Sequence, residues 1–99
     1  MKELNVIISS KAESDLADIW DSIAFENPTA ADKFTKKLEN RINQLRDFPQ
    51  LGVSRRDINV KYRQLVEGRY LVLYEWVESE LTVEIVRIIH SARNIRHLF

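Results

Sequence analysis

The sequence predicts one α+β domain spanning residues 1–99, ordered β-α-α-β-β-β, with an antiparallel sheet and an N-terminal helical hairpin packed on one of its faces. Three observations carry that expectation. Apolar residues in the first half recur at helical spacing in two separate stripes. In the second half they form strand-length runs divided by turn residues. The two helical stripes are joined across Asn27-Pro28, a connection short enough to make them an antiparallel hairpin.

Leu4 to Ile8 is a short apolar run of strand length. Ser10-Lys-Ala-Glu13 matches a capping box, in which Ser10 accepts from free amides of the first helical turn and Glu13 reaches back. Ala12, Leu16, Ile19, Trp20 and Ile23 then make one apolar stripe, which places Trp20 in the core. Asn27-Pro28 ends that helix and opens the next, because proline suits a first turn and not an interior. Ala31, Phe34, Leu38, Ile42 and Leu45 form the second stripe, which Phe48-Pro49-Gln-Leu-Gly52 stops. Val53 to Asn59 reads as a polar loop. Tyr62 to Val66, Tyr70 to Val77 and Leu81 to His90 read as strands, with turns at Glu67-Gly68 and Glu78-Ser79-Glu80. The last two are apolar on both faces, so they belong at the centre of the sheet.

Composition excludes several classes. A chain of 99 residues suits one modest core, and 15 basic against 15 acidic side chains leave no global pull toward nucleic acid or a membrane. The balance hides a gradient, since seven of the arginines lie from Arg55 onward while the first helix carries Glu13, Asp15, Asp18, Asp21 and Glu26. With no cysteine, disulfide and thiolate–metal scaffolds are excluded. No apolar run has the length of a signal peptide or a membrane span, so the expected setting is the cytoplasm, with no membrane contact. No glycine-rich phosphate loop, Ser/His/Asp order or metal-ligand cluster appears, and neither cofactor nor metal is expected.

One residue stands out in the last strand, Val83-Glu-Ile-Val-Arg87-Ile-Ile-His90. A cation amid β-branched neighbours is either half of a structural ion pair, with Asp15 or Asp18 as the acid, or a working surface charge. Strict alternation sends Arg87 and His90 to opposite faces if the strand stays regular through both. His90 alone, at the end of an apolar strand, is more often a half-buried structural imidazole than a catalyst. Tyr70, Tyr74 and Trp76 share a strand face; they read as core before they read as a base-stacking platform. Arg55-Arg56 is either a solvated pair or a phosphate contact, and the acidic row of the first helix is a solvated face.

The chain resembles the RelE/ParE superfamily, the toxin half of type II toxin–antitoxin pairs. The likeness rests on Ala12-Glu-Ser-Asp15-Leu16-Ala-Asp18-Ile19-Trp20, Asn27-Pro28-Thr-Ala30-Ala31, Leu45-Arg-Asp-Phe48-Pro49-Gln-Leu-Gly52, Tyr62-Arg63 and Arg69-Tyr70-Leu-Val-Leu-Tyr74. Arg87-Ile-Ile-His90-Ser-Ala-Arg93 is similar to the final strand of the ParE branch. That branch implies a plasmid-stabilisation type of toxin that inhibits DNA gyrase by binding, without enzymatic activity of its own. The resemblance implies target-binding residues Arg55, Arg56, Arg63, Arg69, Arg87, His90 and Arg93. It also implies a cognate antitoxin and a toxin–antitoxin hetero-oligomer; Phe25 and Leu51, which fall outside the helical stripes, either anchor the antitoxin or close the ends of the core, and Phe99 either adds to that surface or frays. The RelE branch implies a different activity, metal-independent and ribosome-dependent mRNA cleavage, for which Arg69, Arg87, His90 and Arg93 would be the site. Two departures from the RelE pattern count against it: no tyrosine follows the last strand, and Lys61 is the only lysine in the loop before Tyr62. Val60-Lys61 also replaces a glycine usual before that strand's arginine, which leaves open an inactive member acting as an interaction module.

Overall fold

The computed structural model describes residues 4–99. They form β1 (Asn5–Ile8), α1 (Ser10–Ala24), α2 (Pro28–Asn43), β2 (Val53–Ser54), β3 (Tyr62–Glu67), β4 (Tyr70–Val77) and β5 (Thr82–His90). Short 3-10 turns occupy Gln44–Arg46, Glu78–Glu80 and Ile95–Leu98. Among the described residues no helix is long and apolar enough to cross a membrane.

Ser9, not Ser10, caps α1. Its backbone is extended and its hydroxyl oxygen accepts from the Ala12 amide at 3.1 Å, while Ser10 is already helical. The same hydroxyl donates to the Val86 carbonyl at 2.9 Å, so the cap also ties the helix to β5. Asn27 caps α2 in the same way through Ala30, with Pro28 in the first turn where its missing amide costs nothing. Trp20 departs from the core placement its spacing suggested. It is 37% exposed, and its indole donates to Asp32 on α2 at 2.9 Å, so it clasps the hairpin from outside. The apolar stripe of α1 is narrower than the spacing implied, with Ala12 and Ile19 fully buried and Leu16 and Ile23 packed beside them.

The sheet order is β1-β5-β4-β3-β2. The α+β architecture and the helical hairpin are as expected, but the sheet is mixed. β1 runs parallel to β5, pairing Asn5 with Thr82 through Ile8 with Ile85, and the other neighbours are antiparallel. The polar loop after Gly52 also contributes an edge strand, Val53–Ser54 against Arg63 and Gln64. Both differences concern which strand lies beside which, and apolar periodicity marks a strand without naming its neighbour.

Along β4, Tyr70, Val72, Tyr74 and Trp76 face the hairpin and join its core with Leu38, Leu45, Val83, Ile85 and Ile88. Leu71 and Leu73 face the other way. There Ile89, Ile58 and Tyr62 make a second, smaller cluster, closed by Ile95 and Leu98 from the C-terminal 3-10 turn. Apolar surface on both faces of β4 and β5 is thus explained by a cover on each side.

Candidate functional site

The β4–β5 register breaks once. Leu73 pairs with Arg87 and Tyr74 with Ile85, leaving Val86 as an extra residue in β5. The bulge resets alternation, so Ile85 and Ile88 both enter the hairpin core while Ile89 enters the outer cluster. It lies where β1 has ended, beyond Ile85, so the following stretch of β5 has an edge without a strand beside it. Two side chains from the start of α1 satisfy that edge. Ser9 takes the Val86 carbonyl, and Asp15 accepts the Ile88 amide at 2.9 Å.

Asp15 also receives Arg87. Nε donates to Oδ2 at 2.8 Å and Nη2 to Oδ1 at 3.0 Å, a bidentate pair whose side chains are only 16% and 13% exposed. By register Arg87 starts on the face of Leu73, away from the hairpin, and its guanidinium turns across the open edge to reach α1. The bond from Asp15 holds the guanidinium above its ordinary range, against the opposing effect of burial. Arg87 is therefore the structural ion pair, with Asp15 as its acid.

The remaining candidate cations fall into separate places. Arg55 grips Asp57 through two bonds of 2.9 Å each and also binds Gln64; Arg96 reaches the same carboxylate at 3.1 Å. The bonds from Arg55, and then those from Arg96, hold the Asp57 carboxyl well below the usual range, with desolvation opposing. This clasp pins the C-terminal turn onto the sheet. Arg56, next to it, is exposed. Arg63 lies on the hairpin face opposite Tyr74 and donates to the Gly52 carbonyl at 2.8 Å, holding a loop. Tyr74 supports that loop from below: its hydroxyl donates to the Pro49 carbonyl at 2.7 Å and accepts the Gly52 amide at 2.8 Å. Burial pushes the Tyr74 phenol up, while the Gly52 bond and the Arg63 charge act against it.

His90 and Arg93 do come together, at the end of the sheet marked by the β3–β4 turn, where the backbone of Arg69 also lies. The Arg69 carbonyl accepts the Ser91 amide at 2.7 Å, and His90 pairs in register with Tyr70. The Tyr70 and His90 rings meet edge-on with centroids 5.2 Å apart. His90 Nδ1 accepts the Ala92 amide at 3.0 Å, so one of its two ring nitrogens is held by the backbone. His90 and Arg93 line a shallow cleft shared with Asp15, Asp18, Ser22 and Tyr70.

Of the apolar residues outside the helical stripes, Phe25 is 92% exposed, Phe99 52% and Leu51 43%. Phe99 also packs edge-on against Tyr62, with centroids 5.6 Å apart, so it is partly spent within the fold. Asp57 is absent from the sequence-based site; its one signal in the sequence is its place two residues after Arg55.

The architecture is that of a known class of small bacterial toxins. Over 89% of this chain and 96% of its own, a chain of the chromosomal ParDE toxin–antitoxin system from P. aeruginosa superposes with a TM-score of 0.73 at 20% identity. A chain of the RelBE2 toxin–antitoxin complex from Mycobacterium tuberculosis gives 0.62 at 22% identity, over 90% of this chain and 99% of that one. An arginine-substituted E. coli toxin RelE in its free state gives 0.70 at 7% identity, covering 98% and 93%. These likenesses show the fold. No curated protein matches the sequence. The family model for the ParE toxin of the type II toxin–antitoxin system parDE matches residues 6–95, and the chain belongs to that family.

Proposed function

We propose that this ParE-family toxin acts in the cytoplasm by binding DNA gyrase, and that a cognate antitoxin neutralises it in a hetero-oligomer. The observation that carries the reading is the disposition of the four residues an RNA-cleaving site would need. Arg87 is consumed by Asp15 at the strand edge, and His90 has one ring nitrogen occupied by a backbone amide. Cleavage through a 2′-hydroxyl needs one group to take a proton and another to give one, beside cations that stabilise the phosphorane. Here His90 and Arg93 share their cleft with Asp18, whose carboxylate repels a phosphodiester, and with Asp15, whose charge Arg87 already balances. Such a surface is suited to a protein partner bearing both charges, and Arg56 adds an exposed cation elsewhere.

Purified toxin added to a gyrase supercoiling assay is expected to trap cleaved DNA, and to leave mRNA intact in a ribosome-programmed assay. Site-specific mRNA cuts would instead establish the RelE-type activity. Silence in both, with no growth arrest on expression, would mark an interaction module. His90→Gln separates the mechanisms further: a nuclease loses orders of magnitude in rate, a binding toxin far less.

A further inference from the structure

β1 is an edge strand with an open outer side. Asn5 and Ser9 direct their amides to the Leu81 and Ile85 carbonyls beside β1, at 2.9 and 3.0 Å. Alternate residues turn the other way, so Leu4, Val6 and Ile8 present their amides and carbonyls to the outside. Among the described residues those groups have one partner between them, Arg46, whose Nη1 donates to the Leu4 carbonyl at 3.3 Å. Edge strands are ordinarily blunted by a lysine, a proline or a bulge, and Asn5-Val-Ile-Ile8 carries none of these.

The flank of this edge carries one charge of each sign. Val6 and Ile8 share a narrow cleft with Glu39, Ile42, Asn43 and Arg46, from α2 and the 3-10 turn that follows it. Arg46 stands at the Leu4 end, which puts Glu39 toward the Ile8 end. Both side chains are exposed, and among the described residues neither belongs to an ion pair. They are separated by about 10 Å along the helix, close to the ~13 Å that a strand covers from Leu4 to Ile8.

We propose that the β1 edge pairs with β1 of a second copy of this chain, antiparallel about a two-fold axis at Val6, making one continuous sheet across the dimer. In that register Val6 exchanges both backbone bonds with the partner's Val6, and Leu4 exchanges both with the partner's Ile8. Arg46 gives up its long bond to Leu4 and meets the partner's Glu39, while the partner's Arg46 meets Glu39. A two-fold interface demands this kind of self-complementary patch. A slip of two residues would move both charge pairs about 7 Å apart, so the charges also fix the register. A purely acidic or purely basic strand could use the same backbone groups but would satisfy only one of the two charges. Pairing at β1 ends before Val86, so the clefts at His90 and Arg93 stay outside the interface, and the inference is independent of the target they bind.

The test is sedimentation equilibrium on the full chain from micromolar to millimolar concentration. The mass is expected to rise from the 11.7 kDa of one chain toward twice that value. E39R and R46E, each of which sets like charges against one another across the axis, should weaken the dimer at least about tenfold, and E39R/R46E should restore it. Val6→Pro removes the amide at the axis, which has no partner within the described chain, and should abolish the dimer while the circular dichroism of the fold is kept. Where that variant fails to fold, the two exposed charge changes decide alone. Hydrogen exchange at the Val6 and Ile8 amides should slow as the concentration rises. A chain that stays monomeric throughout leaves the edge to a different partner and overturns the proposal. A dimer indifferent to the single charge changes, one not restored by the double change, or slowed exchange confined to another face overturns it equally.

Discussion

Asp15 is the residue on which this fold is most exposed to a single change. Its carboxylate accepts three bonds: two from the Arg87 guanidinium and one from the Ile88 amide. Asp15→Ala leaves a largely buried guanidinium without its counter-charge and a strand-edge amide without an acceptor. Breaking one partner of a buried pair costs about 3–5 kcal/mol, and the lower figure applies because 13–16% of each side chain still meets water. The orphaned amide adds about 1 kcal/mol, for a total near 4 kcal/mol. Against a typical stability of about 5–15 kcal/mol that is a large fraction. In urea, with m about 1–2 kcal/mol/M, the midpoint should fall by about 2–4 M. Asp15→Asn keeps an acceptor for Ile88 and should cost about half as much. Adding Arg87→Met to Asp15→Ala removes the stranded charge, so the double variant should be more stable than additivity allows, with a coupling near 2 kcal/mol. A cost below about 1 kcal/mol for Asp15→Ala, together with additive behaviour in the cycle, would refute this reasoning. The pair would then be a screened surface contact and the edge satisfied by water.

Three further outcomes follow from other contacts. Tyr74→Phe removes the hydroxyl that holds Pro49 and Gly52, and should cost about 1–3 kcal/mol in chemical denaturation, with faster hydrogen exchange at the Gly52 amide. Gly52→Ala would place a Cβ 2.7 Å from the Gln64 carbonyl oxygen and 2.7 Å from the Tyr74 ring; neither can retreat, so a loss of about 1–3 kcal/mol or more is expected in the same assay. Asp57 has a folded-state pKa below its unfolded value, so its clasp contributes fully above about pH 4 and is lost as the pH falls through and below that range. The difference in thermal midpoint between the wild type and Asp57→Asn should therefore shrink from pH 6 toward pH 2; a constant difference would rule out the linkage.

Much of the fold was legible because it is local. Both helices, their proline-marked junction and three long strands follow from apolar spacing and turn residues, which act within a few positions of one another. Trp20 sits at the margin of its helical stripe, where the partner helix decides inside or outside, and Asp32 offers its indole a bond at the surface. Ser9 and Ser10 both precede the same stripe, and only the extended backbone of Ser9 separates the cap from the first helical residue. For the candidate site, Asp15 was one of two acids weighed for Arg87, and the structure chose it. The six candidate arginines and His90 do not form one patch, since sequence neighbours such as Arg55 and Arg56 differ in burial and in partners.

By itself the sequence determined the class of fold, the helical hairpin and the presence of a cation inside an apolar strand, all of which are encoded by patterns along the chain. Only the tertiary structure decided what that cation does. The parallel pairing of β1 with β5 and the arrival of α1 over an unpaired edge join residues some seventy positions apart, and the bulge at Val86 depends on the register between β4 and β5. Burial at that edge makes an unpaired guanidinium costly, so Asp15 binds Arg87 into the framework, and Arg93 is left beside His90 in the cleft at the end of the sheet.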